Sequence, residues 1–442
     1  MVTRTLPLLG SALLLAGCGL FGESRPKTTP TVGERVAVLT GTEADVAADP
    51  ALAGVPVELP PATANAEWGQ SSGNAAHALG HVALGPNPRL AWTARIGTGA
   101  SERARLAAAP VVAGGRVYTI DTTATVRAFD ARNGAPVWSA RVGGAANDNR
   151  GALFGGGVAV EGGRVYATSG LGAVSAYDAG TGALVWTVRP GGPLRGAPTV
   201  ADGQVYVVSQ DSQLFALRAT NGETIWTEAA ALELAGVFGI GSPAVAQGTV
   251  VAGFNSGELN AYRYENGRAL WDDALSRTSI ATSVGTLSDI DADPVIDQGR
   301  VYAIGQGGRM VGLELVTGQR IWELNIAGIS TPWLAGEWLF VVTDDAKLLC
   351  VSRTTGRVRW LTQLQRYRDA EDREGPISWS GPVLAGGRLI LTSSAGQMSF
   401  VSPTDGAVQG SVSIGAPVSL PPVVADGTLY VLDDTGRLSA FR

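Results

Sequence analysis

The chain has 442 residues, of which 45% are hydrophobic and only 16% are charged, with 60 glycines and 11 tryptophans. Because its formal net charge is −6 and nonspecific binding to nucleic acid needs a basic surface, we expect no nucleic-acid partner. The only two cysteines are Cys18 and Cys350, so no disulfide framework is expected within the mature domain.

The first 17 residues have the pattern of a bacterial lipoprotein signal peptide. Arg4 supplies a positive charge, and the apolar stretch 6–16 is too short to span a bilayer. It runs into a Leu-Ala-Gly-Cys sequence that resembles a lipobox, so we predict that Cys18 is lipidated and becomes the first mature residue. Gly19, rather than Asp, follows it, which in sorted lipoproteins goes with the outer membrane. The predicted location is the periplasmic face of the outer membrane.

Residues 18–65 are rich in Ala, Pro, Thr, Val and Glu without sustained periodicity, which predicts a flexible tether. A lead-in segment follows, from about Trp68 to Pro88. It contains the only two histidines, His77 and His81. The region offers no third ligand of matching type, so we predict no metal site there.

A Gly-x-x-x-Trp motif then recurs six times, and in each copy a Val-Tyr-like pair begins 21 residues before the tryptophan. These tryptophans are Trp138, Trp186, Trp226, Trp271, Trp322 and Trp360. A seventh copy has Gly410 where the tryptophan would stand, and an eighth begins at Leu429 and stops with the chain at Arg442. Pairs such as Gly-Gly, Asp-Gly and Asn-Gly divide the copies into short alternating runs, which are typical of strands joined by tight turns.

Four short antiparallel strands per repeat predict a propeller blade. We therefore predict an all-β fold, an eight-bladed β-propeller of four-stranded antiparallel blades, over residues 66–442. The eighth repeat lacks its outermost strand, whereas the run 89–92 carries Trp92 with no preceding repeat. We expect this N-terminal strand to complete the last blade and close the ring. The repeat tryptophans should wedge between blades, and Cys350 should be a small inward-facing residue.

The residues predict no catalytic site and no cofactor. A Ser-His-Asp triad within the propeller is impossible, because both histidines precede the repeats. The Gly-x-Ser-x-Gly string at 69–73 lacks the strand, helix and downstream histidine of a nucleophile elbow. Acidic pairs are interpreted as solvated turns, although the sequence leaves open two carboxylates facing each other across a cleft. These pairs are Asp272-Asp273, Asp344-Asp345 and Asp433-Asp434.

The repeats resemble those of the PQQ-like propeller family, which includes quinone-dependent alcohol dehydrogenases. Those enzymes carry a vicinal cysteine pair beside the cofactor, and this chain has none. The lipobox, the lead-in and the eight repeats together are more similar to the BamB family of lipoproteins. That resemblance implies a non-enzymatic scaffold in the outer-membrane β-barrel assembly (BAM) machinery. It would dock on the POTRA domains of BamA, beside the other BAM lipoproteins, and aid insertion of β-barrel proteins.

Two connectors carry specific matches to that family. The Pro-Leu-Arg-Gly sequence at 193–196 resembles its Leu-x-Leu-Arg-Gly loop, with Gly192 in place of the first Leu, and Leu-Ser-Asp-Ile-Asp at 287–291 resembles its Ser-Asp-x-Asp loop. Both loops contact BamA in the family. The resemblance therefore implies partner-binding roles for Leu194, Arg195, Asp289 and Asp291. Both connectors lead from one blade to the next, so we expect them on one rim with an exposed Leu and Arg facing the carboxylates.

The sequence leaves two alternatives to the scaffold function open. One is a PQQ-dependent periplasmic dehydrogenase, and the other is a propeller that binds a sugar or peptide in its central channel. Unfolded outer-membrane proteins are a further candidate partner. Contact with the membrane is expected through the lipid anchor.

Overall fold

The ranges that the computed structural model describes are 46–143, 155–232, 241–275 and 288–442. In them the chain forms 34 β-strands and one 3-10 turn, Pro50–Leu52. The stretch from Val46 to Arg442 is one compact unit. No helix in these ranges has the length and hydropathy needed to cross a membrane. The predicted signal peptide and Cys18 lie outside the described residues.

Eight antiparallel sheets of four strands form the blades. The first strand within the described ranges is β1 (Leu90–Arg95). The strands of blades 1 and 2 are β2 (Val111–Ala113), β3 (Arg116–Ile120), β4 (Thr125–Asp130), β5 (Pro136–Arg141), β6 (Val158–Glu161), β7 (Arg164–Thr168), β8 (Val174–Asp178) and β9 (Leu184–Val188). The strands of blades 3 and 4 are β10 (Thr199–Ala201), β11 (Gln204–Val208), β12 (Gln213–Arg218), β13 (Thr224–Ala229), β14 (Ala244–Ala246), β15 (Thr249–Gly253), β16 (Glu258–Arg263) and β17 (Ala269–Ala274).

The second half of the ring repeats this arrangement, with one small insertion after blade 6. The strands of blades 5 and 6 are β18 (Val295–Asp297), β19 (Arg300–Ile304), β20 (Met310–Glu314), β21 (Arg320–Leu324), β22 (Trp333–Ala335), β23 (Trp338–Val342), β24 (Lys347–Ser352) and β25 (Val358–Gln363). The inserted hairpin is β26 (Tyr367–Asp369) and β27 (Glu374–Pro376). The remaining strands, of blades 7 and 8, are β28 (Trp379–Ala385), β29 (Arg388–Ser393), β30 (Gln397–Val401), β31 (Val408–Ser413), β32 (Val423–Ala425), β33 (Thr428–Leu432) and β34 (Arg437–Phe441).

Burial explains why the strand sequences differ by position within a blade. Middle strands are covered by a blade on either side and read as continuous apolar runs, so all five residues of β11 are buried. Outermost strands face solvent along one edge and alternate. In β13 the tryptophan is buried while Thr224 and Thr227 are exposed.

The ring closes as the sequence predicts. Blade 8 has the strand order β1-β34-β33-β32. β1 runs antiparallel to β34, and Trp92 lies opposite Ala440, just as Trp138 lies opposite Ala128 in blade 1. The eight-bladed fold and its closure by the N-terminal strand are therefore confirmed. Since β1 and β34 share one sheet, blade 8 is complete and closes the ring.

Each tryptophan of an outermost strand is held by the next blade. Its indole N–H donates to a carbonyl in the turn after that blade's third strand, at 2.7–3.1 Å. Its ring covers the glycine of the same turn, which has a φ of 69–78°. A Cβ on that glycine would lie 2.5–2.8 Å from the indole side chain, so only glycine fits. The seven pairs are Trp92–Gly134, Trp138–Gly182, Trp186–Gly222, Trp226–Gly267, Trp271–Gly318, Trp322–Gly356 and Trp360–Gly406.

The seam between blades 7 and 8 is the exception, and the pairing of β34 with the distant strand β1 explains it. In blade 8 the third and fourth strands, β34 and β1, come from opposite ends of the chain, so no turn with a glycine joins them. A tryptophan at 410 would have no such turn to contact. Gly410 stands there instead, opposite Phe400, whereas the other blades pair Trp with Ala, Gly or Cys. In this blade the large residue of the pair is therefore Phe400 on β30, and the small one is Gly410 on β31.

The lead-in segment forms a belt, residues 65–82, across the channel end of the ring. The belt is hydrogen-bonded in turn to the innermost strand of every blade. The bonded pairs, from blade 8 through blades 1 to 7, are Asn65–Val424, Trp68–Val112, Gly69–Val160, Gln70–Val200, Ala75–Val245, Ala76–Ile296, Gly80–Trp333 and Val82–Leu384. Without the belt, backbone groups on the inner edges of these strands would face the channel unpaired. The belt supplies hydrogen-bond partners along these inner edges.

The belt and the segment before it revise the predicted domain boundary at residue 65. Residues 46–65, predicted as part of the tether, lie within the compact unit. The backbone N–H of Asp49 donates to the Val358 carbonyl at 2.7 Å, and Val57 is buried. The segment makes one isolated bridge, at Thr63, and one 3-10 turn rather than a strand, so its sequence shows no strand period. For residues 18–45 the tether remains a prediction.

Replacing Trp271 by Ala should lower the free energy of unfolding by about 3–5 kcal/mol, because it removes a buried ring and the hydrogen bond to Leu315. Gly410→Ala is the matched control. Its Cβ would meet nothing within 4 Å, so a change of about 0.5 kcal/mol or less is expected. Denaturant unfolding followed by circular dichroism measures both. Equal losses in the two variants would contradict the wedge role.

Candidate functional site

The two family-like connectors lie on the same face of the ring. Each joins the outermost strand of one blade to the innermost strand of the next, and antiparallel strands bring all such connectors to one face, here called the connector face. The first leads from β9 to β10 and the second from β17 to β18. Although two blades separate them, the Arg195 Nη2 and Asp291 Oδ1 atoms are 3.0 Å apart. The prediction that they share a rim is confirmed.

The predicted exposure of the site is wrong. Leu194, Arg195 and Asp289 are fully buried, and Asp291 is 8% exposed. The connector folds down onto blade 3, where the Arg195 N–H donates to the Val208 carbonyl at 2.9 Å. Leu194 joins the apolar core between blades 2 and 3. These side chains therefore lie beneath the surface that the connectors present.

The Arg195 guanidinium ties several blades together. Besides Asp291, it donates to the carbonyls of Ile290 at 3.3 Å and Gly253 at 3.5 Å. The second carboxylate oxygen of Asp291 accepts from the Gln306 side chain of blade 5 at 2.8 Å. A planar guanidinium with several acceptors is the group best suited to a buried pair of this kind.

Burial works against both charges of this pair. Loss of water raises the pKa of Asp291 to about 6 and lowers the pKa of Arg195, and the attraction between the two groups opposes both shifts. Asp289 adds a like charge that raises the pKa of Asp291 further. At neutral pH the pair is ionic, and removing either member would leave a buried charge.

The second connector is also fixed through its backbone. Its Ile290 N–H donates to the Phe254 carbonyl at 3.2 Å, and its Asp289 carbonyl accepts from the Gln306 N–H at 2.9 Å. Ile290 covers Gly253 so closely that a Cβ there would lie 2.4 Å from the Ile290 side chain. Blades 4 and 5 thus hold the described end of this connector, residues 288–291, through backbone and side-chain contacts.

Two glycines before blade 2, Gly155 and Gly156, also belong to this site. The Gly156 N–H donates to the Arg195 carbonyl at 2.6 Å. A Cβ on Gly155 would lie 2.2 Å from the Leu194 carbonyl oxygen. Close backbone approach therefore requires glycine here, and only the run of three glycines hinted at it.

Around the buried pair, the connector face offers exposed apolar and backbone groups. Pro193 is exposed, as are Leu171 at 36% and Leu232 at 62%. The Arg189 guanidinium donates to the Leu171 carbonyl at 2.8 Å. A rigid surface with apolar anchors is suited to binding a protein partner.

The central channel forms a second concave site, with the belt as its floor. The cavity measures about 920 Å³, including solvent space at its mouth, and Trp68, Ser71 and Asp293 line it. Asp293 accepts from the hydroxyls of Ser71 at 2.6 Å and Ser72 at 3.1 Å, and from the Ser242 N–H at 2.7 Å. Across the described ranges, no group of three or more His, Cys, Asp and Glu side chains is placed to hold a metal ion.

The other residues singled out in the sequence have structural partners. His77 contacts the Pro294 carbonyl at 2.7 Å, and His81 contacts the Pro60 carbonyl at 2.8 Å. Cys350 is fully buried opposite Trp360, and burial raises the pKa of its thiol. The small inward position predicted for the cysteine is confirmed.

A protein family and several known proteins are similar to this chain in sequence. The sequence profile of a family described as outer membrane protein assembly factor BamB matches residues 122–362, more than half of the chain. The outer membrane protein assembly factor BamB of Shewanella oneidensis is 26% identical over 359 residues, covering 80% of this chain and 88% of that protein.

Two solved structures share the architecture. BamB from Moraxella catarrhalis has a TM-score of 0.65 at 16% identity, covering 80% of this chain and all of that chain. The quinohemoprotein alcohol dehydrogenase of Comamonas testosteroni has a TM-score of 0.67 at 15% identity, covering 86% and 81%. At these identities the structural matches speak for the fold alone.

Asp291→Leu should lower the free energy of unfolding by about 3–5 kcal/mol, because it leaves a buried guanidinium without its carboxylate. Arg195→Met should cost a similar amount. The double variant should cost clearly less than the sum of the two, since it leaves neither charge exposed to an apolar interior. Denaturant unfolding of all four proteins measures the coupling. Additive losses would contradict a direct ion pair.

Proposed function

The chain belongs to the family of the outer membrane protein assembly factor BamB, and on that premise we propose that it is a non-enzymatic scaffold of the BAM machinery. It docks on the POTRA domains of BamA, beside the other BAM lipoproteins, and aids insertion of β-barrel proteins. Lipidation at Cys18 anchors it to the outer membrane on the periplasmic face, and the lipobox supports this step. Unfolded outer-membrane proteins are its candidate clients.

The observation that carries the proposal is the Arg195–Asp291 ion pair. It joins the two connectors that match the family's BamA-contacting loops into one surface. Leu194 and Asp289 act with the pair from beneath, because all four side chains are buried. They are positioning residues, and the exposed neighbours on the connectors, such as Pro193, touch the partner. A preformed surface loses little conformational entropy on binding, which favours affinity.

No specific observation favours an enzyme. The likeness to the quinohemoprotein dehydrogenase concerns the fold, and folds host many functions. The sequence lacks the vicinal cysteine pair of that family. A propeller that binds a small ligand in the channel cavity remains an alternative, but the residues that line the cavity do not indicate a class of ligand.

A photo-crosslinking amino acid at position 193 should capture BamA in cells, because Pro193 is exposed beside the buried pair. Position 195 is enclosed and is unsuited to this test. Position 317 is the matched control, since Thr317 is exposed in a turn on the opposite face. Mass spectrometry of the adducts identifies the partner. If the crosslinker captured BamA at position 317 and not at position 193, the docking surface would lie on the face opposite the connector face.

The double variant Arg195→Met/Asp291→Leu should capture BamA several-fold less than the wild type, because the connectors are no longer tied together. A matched control is Arg353→Met/Asp297→Leu, which removes another ion pair, at 2.7 Å on the opposite face, whose arginine is buried and whose aspartate is partly exposed. It should lose stability without losing capture. Quantitative pull-down with thermal unfolding measures both. Undiminished capture by a folded Arg195/Asp291 variant would remove these residues from the docking proposal.

A further inference from the structure

The outermost strand of blade 7 is unlike its counterparts. All six residues of β31 are exposed, whereas the tryptophan of each other outermost strand in the described chain is buried or half-buried. Its sequence, Val-Gln-Gly-Ser-Val-Ser, contains no charge and no proline. Charges, prolines and coverings are the features that protect edge strands from pairing with other chains. β31 has none of them.

β31 also has a free edge. It pairs with β30 on one side and is the last strand of its sheet. Its outer backbone donors and acceptors therefore have no strand partner among the residues that the structure describes. Such an edge can accept an extended peptide as one more strand, with main-chain hydrogen bonds supplying affinity.

A groove opens beside this edge, at the seam that lacks a tryptophan wedge. It measures about 740 Å³, including solvent space, and lies between the end of β31 and the strands β1 and β34 of blade 8. Val412 and Leu90 line it, at 41% and 58% exposure. Val412 follows Gly410 on the same face of the strand, because side chains alternate. The groove therefore offers apolar contact for one large side chain.

Charge limits what would bind there. The groove is lined by Arg89 and Arg437 and by no acidic residue. Arg437 is paired with Asp433 at 2.9 Å, but Arg89 has no ion pair within the part of the chain that is described. A carboxylate on the bound segment would complement it, although the whole chain is acidic.

We propose that β31 and this groove bind an extended segment of another polypeptide. The segment alternates apolar and polar residues, adds to blade 7 as a fifth strand, and inserts one large apolar side chain between blades 7 and 8. An acidic residue near its end pairs with Arg89. The site lies on the outer rim, so it is separate from the connector face and does not depend on the proposed docking there.

The test uses a labelled synthetic peptide of about ten residues, with valines and one tryptophan alternating with threonines and an aspartate near one end. Fluorescence anisotropy with the full-length protein should show binding with a dissociation constant on the order of 10–100 µM. A second peptide, N-methylated at alternate amides, should not bind, because it lacks the donors for strand pairing. Equal binding of both peptides would overturn strand addition.

Two variants locate the site. Val412→Lys places a charge on the edge and in the groove, and should weaken binding at least about tenfold. Val185→Lys on β9 is the matched control, since that outermost strand is also uncharged and Val185 is 44% exposed. It should change binding less than about twofold. Equal loss in both variants would mean unspecific edge binding and would overturn the proposal.

The charge contact has its own test. Arg89→Glu should weaken binding of the aspartate peptide several-fold and strengthen binding of a peptide with lysine in its place. Absence of this exchange removes the acidic residue from the proposal. Sedimentation without peptide checks the other occupant. Dimers that Val412→Lys dissociates would show that a second copy, not another polypeptide, occupies the edge.

Discussion

The indole N–H of one blade, donated to a carbonyl in the turn of the next, is the contact on which the ring depends. It is repeated seven times at 2.7–3.1 Å. Each repeat therefore carries both halves of the contact: a glycine turn that receives the previous ring, and a tryptophan that enters the next. That dual role fixes their spacing, and it leaves the connectors free to vary in length. Where blade 8 has no glycine turn, position 410 has no tryptophan.

Two further contacts act across blades rather than between neighbours. The belt bonds to each innermost strand from the channel side, and the Arg195–Asp291 pair links connectors two blades apart. Neither is an extension of the repeat. The belt and the ion pair make individual blades of the ring different from one another. The candidate sites lie at these irregular places rather than in the repeated part of the blades.

The sequence was sufficient for the features that the repeat determines. Strand number, blade number and the place of Trp92 follow from a fixed spacing and a missing final strand. Burial of Leu194 and Arg195 could not be predicted, because a connector's sequence does not say whether it rises into solvent or folds onto a blade. The belt could not be predicted, because its residues bond to a different strand in each blade and its sequence therefore has no period. The role of Gly155 and Gly156 could not be predicted either, because it depends on how closely the backbone of Leu194 and Arg195 approaches them.

Blade 8 sets the order of events when the chain is made. Among the described strands β1 is made first and β34 follows all the others, so the contact between them waits until β34 is made. Until then the belt has innermost strands to bind one blade at a time, but the ring stays open. Such distant pairing pays the loop-closure cost of a long connection before it gains any contact, so it is slow to form. A copy that ends before β34 has no partner strand for β1, so its ring cannot close.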